Sequence, residues 1–193
     1  MRLRSIVQSM GLRKNISFLP AYWIAPVAAI LLSEPVCAEE PEITPCHRRG
    51  TSLVVLTQER RLYLCDDGKI AGDFSARIAS SGVGKTKQGD QKTPLGTYGL
   101  GSPRFSKKYG TFVPIGYPTE AQKAKGFSGG DVGIHGPHRV LAWVGRLNNL
   151  FDSTDGCVGI ATDDEMRVIS DWVKRKRPKQ IHILQAPRAE EKQ

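Results

Sequence analysis

The segment Ser153-Thr154-Asp155-Gly156-Cys157-Val158 sets a cysteine directly after a glycine at the end of a polar turn. Glycine there allows a tight bend and the close approach of a substrate carbonyl. The backbone N–H groups of Gly156 and Cys157 would then face the oxygen that gains charge during attack. Losing one such donor typically costs roughly a hundred- to a thousand-fold in rate. A thiolate needs a base or a cation nearby. Four histidines compete for that role. His47 falls in a polar stretch and His182 in a terminal apolar run, where solvated or structural roles fit. His135 ends a short apolar run and precedes Gly136, a position from which a side chain can face a cleft. His138 lies three residues on, and a His-x-x-His pair with Cys157 has ligand types suited to zinc. Pro137 argues against the helix that usually presents such pairs, so no metal is expected. Spacing alone leaves a plainer alternative beside the His–Cys dyad, namely a buried structural cysteine and a satisfied histidine.

The cysteine count sharpens the choice. Residues 1–38 read as a secretory leader: Arg2, Arg4, Arg13 and Lys14 precede the apolar stretch Ile16 to Leu32, and Val36-Cys37-Ala38 supplies small residues before a cleavage site. A retained membrane anchor is the alternative, although Pro20 and Pro26 interrupt the run and it barely reaches spanning length. Either way the remainder is expected outside the cytoplasm, in the periplasm or at the cell wall. Cleavage would leave Cys46, Cys65 and Cys157, an odd number in a compartment that oxidises thiols. Cys46 and Cys65 flank an expected hairpin and could pair, which would leave Cys157 free.

The whole chain carries a net charge of +9, and cleavage would remove four basic residues and one acidic one. A basic exported protein suits an anionic polymer or lipid surface. Nucleic acid is not the expected partner, and a membrane would be one only if the leader were retained. The one dense basic run, Lys174-Arg175-Lys176-Arg177, ends an expected helix, where cations complement the dipole.

The elements that must position these groups are mostly strands. Residues 39–50 read as a linker, and 51–186 as one folded domain. Ser52 to Thr57 and Arg61 to Cys65 read as a hairpin, Ile70 to Ala79 as a third strand, and Gly96 to Leu100 and Thr111 to Gly116 as short strands separated by a basic loop. Pro118 to Lys125 reads as one or two helical turns, Val132 to His135 as a strand, and Val140 to Leu147 as a helix. Thr162-Asp163-Asp164-Glu165 is a capping box for a helix running to about Lys176, where Pro178 stops it. Gln180 to Gln185 is a last strand, and 187–193 is a frayed tail. The expected architecture is a mostly β domain, a sandwich or barrel, with a few short helices.

Ala79-Ser80-Ser81-Gly82-Val83-Gly84-Lys85-Thr86 loosely resembles a phosphate-binding loop. Such a loop needs a helix to begin at its Lys-Thr pair. Gly89 and Pro94 fall where that helix would form, so nucleotide binding is rejected.

Taken in order, several segments resemble the YkuD-type L,D-transpeptidases of bacterial cell walls. They are Gly89-Asp90-Gln91-Lys92-Thr93-Pro94-Leu95-Gly96-Thr97-Tyr98, Ile134-His135-Gly136, Ser153 to Val158, and the helix start at Thr162 to Met166. The resemblance runs from about Ser52 to Gln185. It implies that Cys157 attacks the carbonyl of the third residue of a peptidoglycan stem peptide, releasing the terminal D-alanine. His135 would serve as the base, and the acyl group would pass to an amine on another stem, to a wall-attached protein or to water. Gly136, Asp155 and Gly156 are expected to form the oxyanion or positioning shell, and no cofactor is implied. Two departures stand out. Asp155 occupies the position where many members carry a second histidine, and Gly159 the position where many carry Arg or Asn. Asp155 either accepts a hydrogen bond near the dyad or bonds its own backbone in the turn. The alternatives to a transpeptidase are a hydrolase on the same scaffold (an L,D-carboxypeptidase or an amidase releasing wall-bound protein) and a catalytically silent wall-binding module.

Overall fold

A computed structural model describes residues 44–150 and 154–185, all within one compact unit. The expected leader, the first part of the expected linker, Ser153 and the C-terminal tail lie outside the described residues. Nine strands, β1 (Ser52–Leu56), β2 (Arg61–Asp66), β3 (Lys69–Arg77), β4 (Gly96–Gly99), β5 (Arg104–Ser106), β6 (Gly110–Pro114), β7 (Gly133–His135), β8 (Val158–Ile160) and β9 (Gln180–Leu184), form one mixed sheet. Two α-helices, α1 (Glu120–Ala124) and α2 (Asp163–Lys176), and a 3-10 segment (Arg139–Leu150) complete the fold. The sheet order is β4-β9-β1-β2-β3-β8-β7-β6-β5. Only the β1–β9 and β7–β8 pairs are parallel.

The sheet curls until the end of its edge strand β4 reaches the end of β6, the strand next to the opposite edge. Leu100, just after β4, bridges Ile115, just after β6. Gly101 N–H donates to Pro114 O at 2.8 Å and Gly116 N–H to Gly99 O at 2.9 Å. The expected mostly β, barrel-like domain is therefore what the chain forms.

Alternation along β1 and β2 explains how the sheet is buried on both faces. Leu53, Val55, Leu62 and Leu64 point into the main core, while Val54, Leu56, Tyr63 and Cys65 form a second cluster on the opposite face. Side chains on successive strand residues point to opposite faces, so both sets must be covered. Cys46 covers the second set, fully buried and disulfide-bonded to Cys65. The stretch read as a linker is thus packed around Cys46 against the sheet.

Helix α2 closes the main core. Met166, Ile169, Trp172 and Val173 fall on one face at three- and four-residue spacing and pack into it. Each fully buried aliphatic or aromatic side chain contributes about 1.5–3 kcal/mol relative to exposure. Thr162 starts the helix by accepting the Glu165 N–H on its hydroxyl, and Arg177 ends it in a left-handed conformation. Helix α1 carries a full capping box, in which Thr119 and Gln122 satisfy each other's backbone N–H, whereas at α2 the Thr162 half is the one seen.

Three local expectations are corrected. The basic loop before β6 contains the short strand β5, paired with β6. Val140 to Leu147 lies in 3-10 rather than α-helical geometry, and Gly145 breaks it with φ 61°. Strand β8, three residues long, has too few positions to show a period, and was not expected.

Candidate active site

The parallel pair β7–β8 brings the two expected residues together. Ile134 pairs with Val158 and His135 with Gly159. Cys157, two residues before Gly159, therefore lies toward the same face as the residue opposite His135. Both side chains line one cavity of about 360 Å³, with Arg104, Lys108, Tyr109 and Asp131 around them. His135 also lines a second cavity of about 310 Å³, with Arg77, Lys108, His138 and Asp155. Cys157 lines the first of these two.

His135 is 3% exposed. Its Nδ1 lies 2.7 Å from the Gly136 carbonyl oxygen. A carbonyl only accepts, so Nδ1 carries the proton and Nε2 presents a lone pair. That Nε2 is buried and has no hydrogen-bond partner among the described residues. Burial pushes the imidazole pKa down to about 4, aided by Arg77, Lys108 and His138 and opposed by the Gly136 hydrogen bond. At neutral pH the ring is therefore an uncharged base. The ring of Tyr109 stacks on it, with centroids 3.7 Å apart.

Cys157 is half-buried and is the free cysteine among the described residues. Burial raises its thiol pKa and Asp155 and Asp131 add to the rise, whereas the Gly133 N–H and Lys108 oppose it. The thiol donates to Asp131 O at 3.5 Å. The resting pair is thus a neutral thiol beside a neutral imidazole, and the two face one cavity without a hydrogen bond between them. Catalytic hydrogen bonds are often loose before substrate arrives.

The turn that carries Cys157 is held from three sides. Thr154 bridges Ala79, accepts Ser80 N–H on its carbonyl, and donates its hydroxyl to Cys157 O at 2.6 Å. Gly156 has φ +138°, and a Cβ there would meet Lys92 O at 3.1 Å and the Lys85 side chain at 3.5 Å. Glycine is required for both reasons. Lys85 is itself buried and pairs with Asp90 at 2.8 Å. Burial alone would raise the Asp90 carboxyl; Lys85 and the N–H groups of Lys87, Thr86 and Lys92 outweigh it and hold that carboxyl well below its usual range. The lysine of the rejected phosphate-loop lookalike is therefore a buttress under the cysteine turn.

Gly136 serves through its carbonyl on His135, and Gly156 through its backbone. Asp155 is exposed and lines both cavities. Among the described residues its carboxylate takes neither of the two expected hydrogen bonds; its charge helps raise the pKa of both the Cys157 thiol and Lys108. At Gly159, a Cβ would lie 3.0 Å from Nε and Nη2 of Arg77. Arg77 is paired with Gly159 across β3 and β8 and is buried. A guanidinium from β3 thus fills the space a side chain at 159 would need. His138 stands edge-on to Tyr109 and accepts Val140 N–H on Nδ1 at 3.4 Å. Sequence reasoning missed Tyr109, Lys108, Arg77 and Asp131. Tyr109 and Lys108 sit in a basic loop without periodicity, and the other two act by contacts that only the folded sheet creates.

The curled sheet places a free thiol and a neutral imidazole in one cleft of a mostly β domain. The chain belongs to the YkuD family, the L,D-transpeptidase catalytic domain, whose family model matches residues 50–182. No curated protein sequence matched the chain. Among solved structures, the helical cell shape determining protein Pgp2 from Campylobacter jejuni is similar at 22% identity and a TM-score of 0.57 over 71% of this chain and 48% of that one. A mutant of the same protein gives 23%, 0.58, 71% and 47%. An L,D-transpeptidase from Mycobacterium tuberculosis is similar at 14% identity and a TM-score of 0.44, over 69% of this chain and 57% of that one. The chain matches about half the length of the two Pgp2 structures.

Proposed function

We propose that this protein is an exported L,D-transpeptidase acting on peptidoglycan stem peptides, with Cys157 as nucleophile and His135 as base. The observation that carries the reading is the pairing of a free cysteine with a buried, neutral histidine whose only bare nitrogen is Nε2. Family membership supplies the substrate class. The Cys46–Cys65 disulfide supports an oxidising compartment, the periplasm or the wall, as the place of work.

In the proposed cycle, Cys157 Sγ leaves Asp131 O and bonds to the carbonyl carbon of the third stem residue as its proton passes to His135 Nε2. The neutral resting pair favours transfer in step with attack over a preformed ion pair. Gly156 and Cys157 N–H groups receive the oxyanion. Collapse breaks the C–N bond, and His135 returns the proton to the departing D-alanine amine. An amine of a second stem or of a wall-attached protein then attacks the thioester, gives its proton to His135, and restores the thiol. Two cavities meeting at His135 support this order, since one base must serve both a leaving and an entering amine. No step calls for a metal or an organic cofactor.

Incubation with tetrapeptide muropeptides, followed by mass, tests the proposal. Cross-linked dimers dependent on Cys157 are the expected product. Tripeptide monomers alone would make the protein a carboxypeptidase, and no Cys157-dependent change would leave only a wall-binding module.

A further inference from the structure

A second kind of cavity lies away from Cys157. A groove of about 980 Å³ runs along the seam where the sheet closes, between the ends of β4 and β6 and the C-terminal end of α2. Gly99, Gly101 and Pro114 contribute to its walls, and Lys174, Arg177 and Lys179 line it, with no Asp or Glu. No cysteine or histidine lines it either, so it is not a second copy of the chemistry.

The basic run at Lys174–Arg177 has more than one use. Lys176 pairs with Asp66 at 2.6 Å and Lys174 with Asp171 at 3.4 Å, both exposed contacts of little energetic weight. Arg177 and Lys179 are exposed and have no ion pair among the described residues. The left-handed Arg177 turns the chain out of α2, and Lys179 O then accepts Leu100 N–H at 3.0 Å, which ties the backbone of this turn to the end of β4 beside the groove. Helix α2, with 14 residues, is about 20 Å long. Its other end, at Asp163, lies against Gly136 beside His135. The groove is therefore a separate site at the far end of that helix.

We infer that this groove binds the carboxylate-bearing stem peptides of a peptidoglycan strand, holding the polymer while Cys157 works on another part of it. The inference rests on the wall-polymer reading of the protein. Charge complementarity selects an anionic occupant, because Arg177 and Lys179 line the groove with no ion pair among the described residues and no acid lines it beside them. Its walls carry no aromatic side chain, so neither stacked bases nor stacked sugar rings fit it as well as peptide carboxylates do. Its volume is well over twice that of the Cys157 cavity, which suits a stretch of polymer better than a single terminal group.

The test measures pelleting with purified sacculi, using Cys157→Ala protein to prevent turnover. Arg177→Asn with Lys179→Glu should weaken binding about tenfold at low salt, and the difference should shrink as salt screens it. In the active protein the same two changes should leave turnover of a soluble tetrapeptide unchanged. If the double variant does not fold, Lys179→Glu alone, at an exposed position, carries the test. Sacculus binding equal to the parent's would overturn the inference. So would groove-dependent binding to anionic lipid vesicles with sacculus binding intact. Failure of the catalytic reading looks different: the parent would leave the soluble tetrapeptide unprocessed whatever the groove variants bind.

Discussion

The ring of Tyr109 lies on the imidazole of His135 with centroids 3.7 Å apart and planes 20° apart. That stack forms part of the burial that keeps His135 neutral. Tyr109→Ala should lower kcat/KM by about tenfold and raise the histidine pKa from about 4 toward 6.5, because the ring regains water. Tyr109→Phe keeps the stack and should keep both values. The pH–rate profile of each variant reads this directly.

The wild-type profile follows from the same burial. His135 is protonated, and useless as a base, only below about pH 4. The acid limb of kcat/KM should therefore fall near pH 4, with a plateau through neutrality. A preformed thiolate–imidazolium pair would instead make Cys157 alkylate rapidly with iodoacetamide at pH 6. The raised thiol pKa predicts slow alkylation there that accelerates only in alkaline solution.

Stability should depend on pH through His135 as well. Its folded pKa lies below the unfolded value of 6.5, so between those values the unfolded chain binds the extra proton. Stability is fully present above about 6.5 and declines as pH falls toward 4, by up to about 3 kcal/mol. His135→Gln should flatten that window in urea titrations. Asp90, with its lowered carboxyl, adds a loss at still lower pH, below its ordinary 3.8.

The Lys85–Asp90 pair supports the backbone of the cysteine turn. Breaking a buried pair from one side costs about 3–5 kcal/mol, so Lys85→Met should lower the melting temperature by about 10 °C. It should also reduce kcat, since the Lys85 side chain packs against Gly156. Differential scanning calorimetry beside single-turnover acylation would separate the two effects.

Restoring a side chain at 159 should not restore a commoner version of the site. Gly159→Ala would press on the Arg77 guanidinium at 3.0 Å and should destabilise by about 1–3 kcal/mol, read as a shift in urea midpoint. Gly159→Arg should be worse, because two guanidinium groups would compete for one buried space.

Much of the site was legible because its chemistry sits in short contiguous motifs. Gly156-Cys157 and His135-Gly136 each stand out locally and meet in one cavity, and cysteine counting pointed to the Cys46–Cys65 bond. Strands β1, β2 and β9 carry enough apolar residues to be read within a residue or so of their ends. Strands β5 and β8 are three residues long, too short to show a period, and exist because β6 and β7 pair with them. The segment after Pro137 has helical spacing, yet Gly145 breaks it and Val140, Leu141 and Trp143 stay exposed, so packing never selects an α-helix. Arg77 over Gly159 and Asp131 O on the thiol join residues 82 and 26 positions apart, contacts that no local pattern encodes.

The central claim is that Cys157 takes the acyl group with His135 as its base. Intact-protein mass spectrometry after mixing with a tetrapeptide donor tests it most directly. The wild type should gain the mass of the donor less D-alanine, on the peptide containing Cys157, and His135→Ala should acylate about a hundred- to ten-thousand-fold more slowly. An adduct on any other residue, or equal acylation in the Cys157→Ala or His135→Ala protein, would contradict the account.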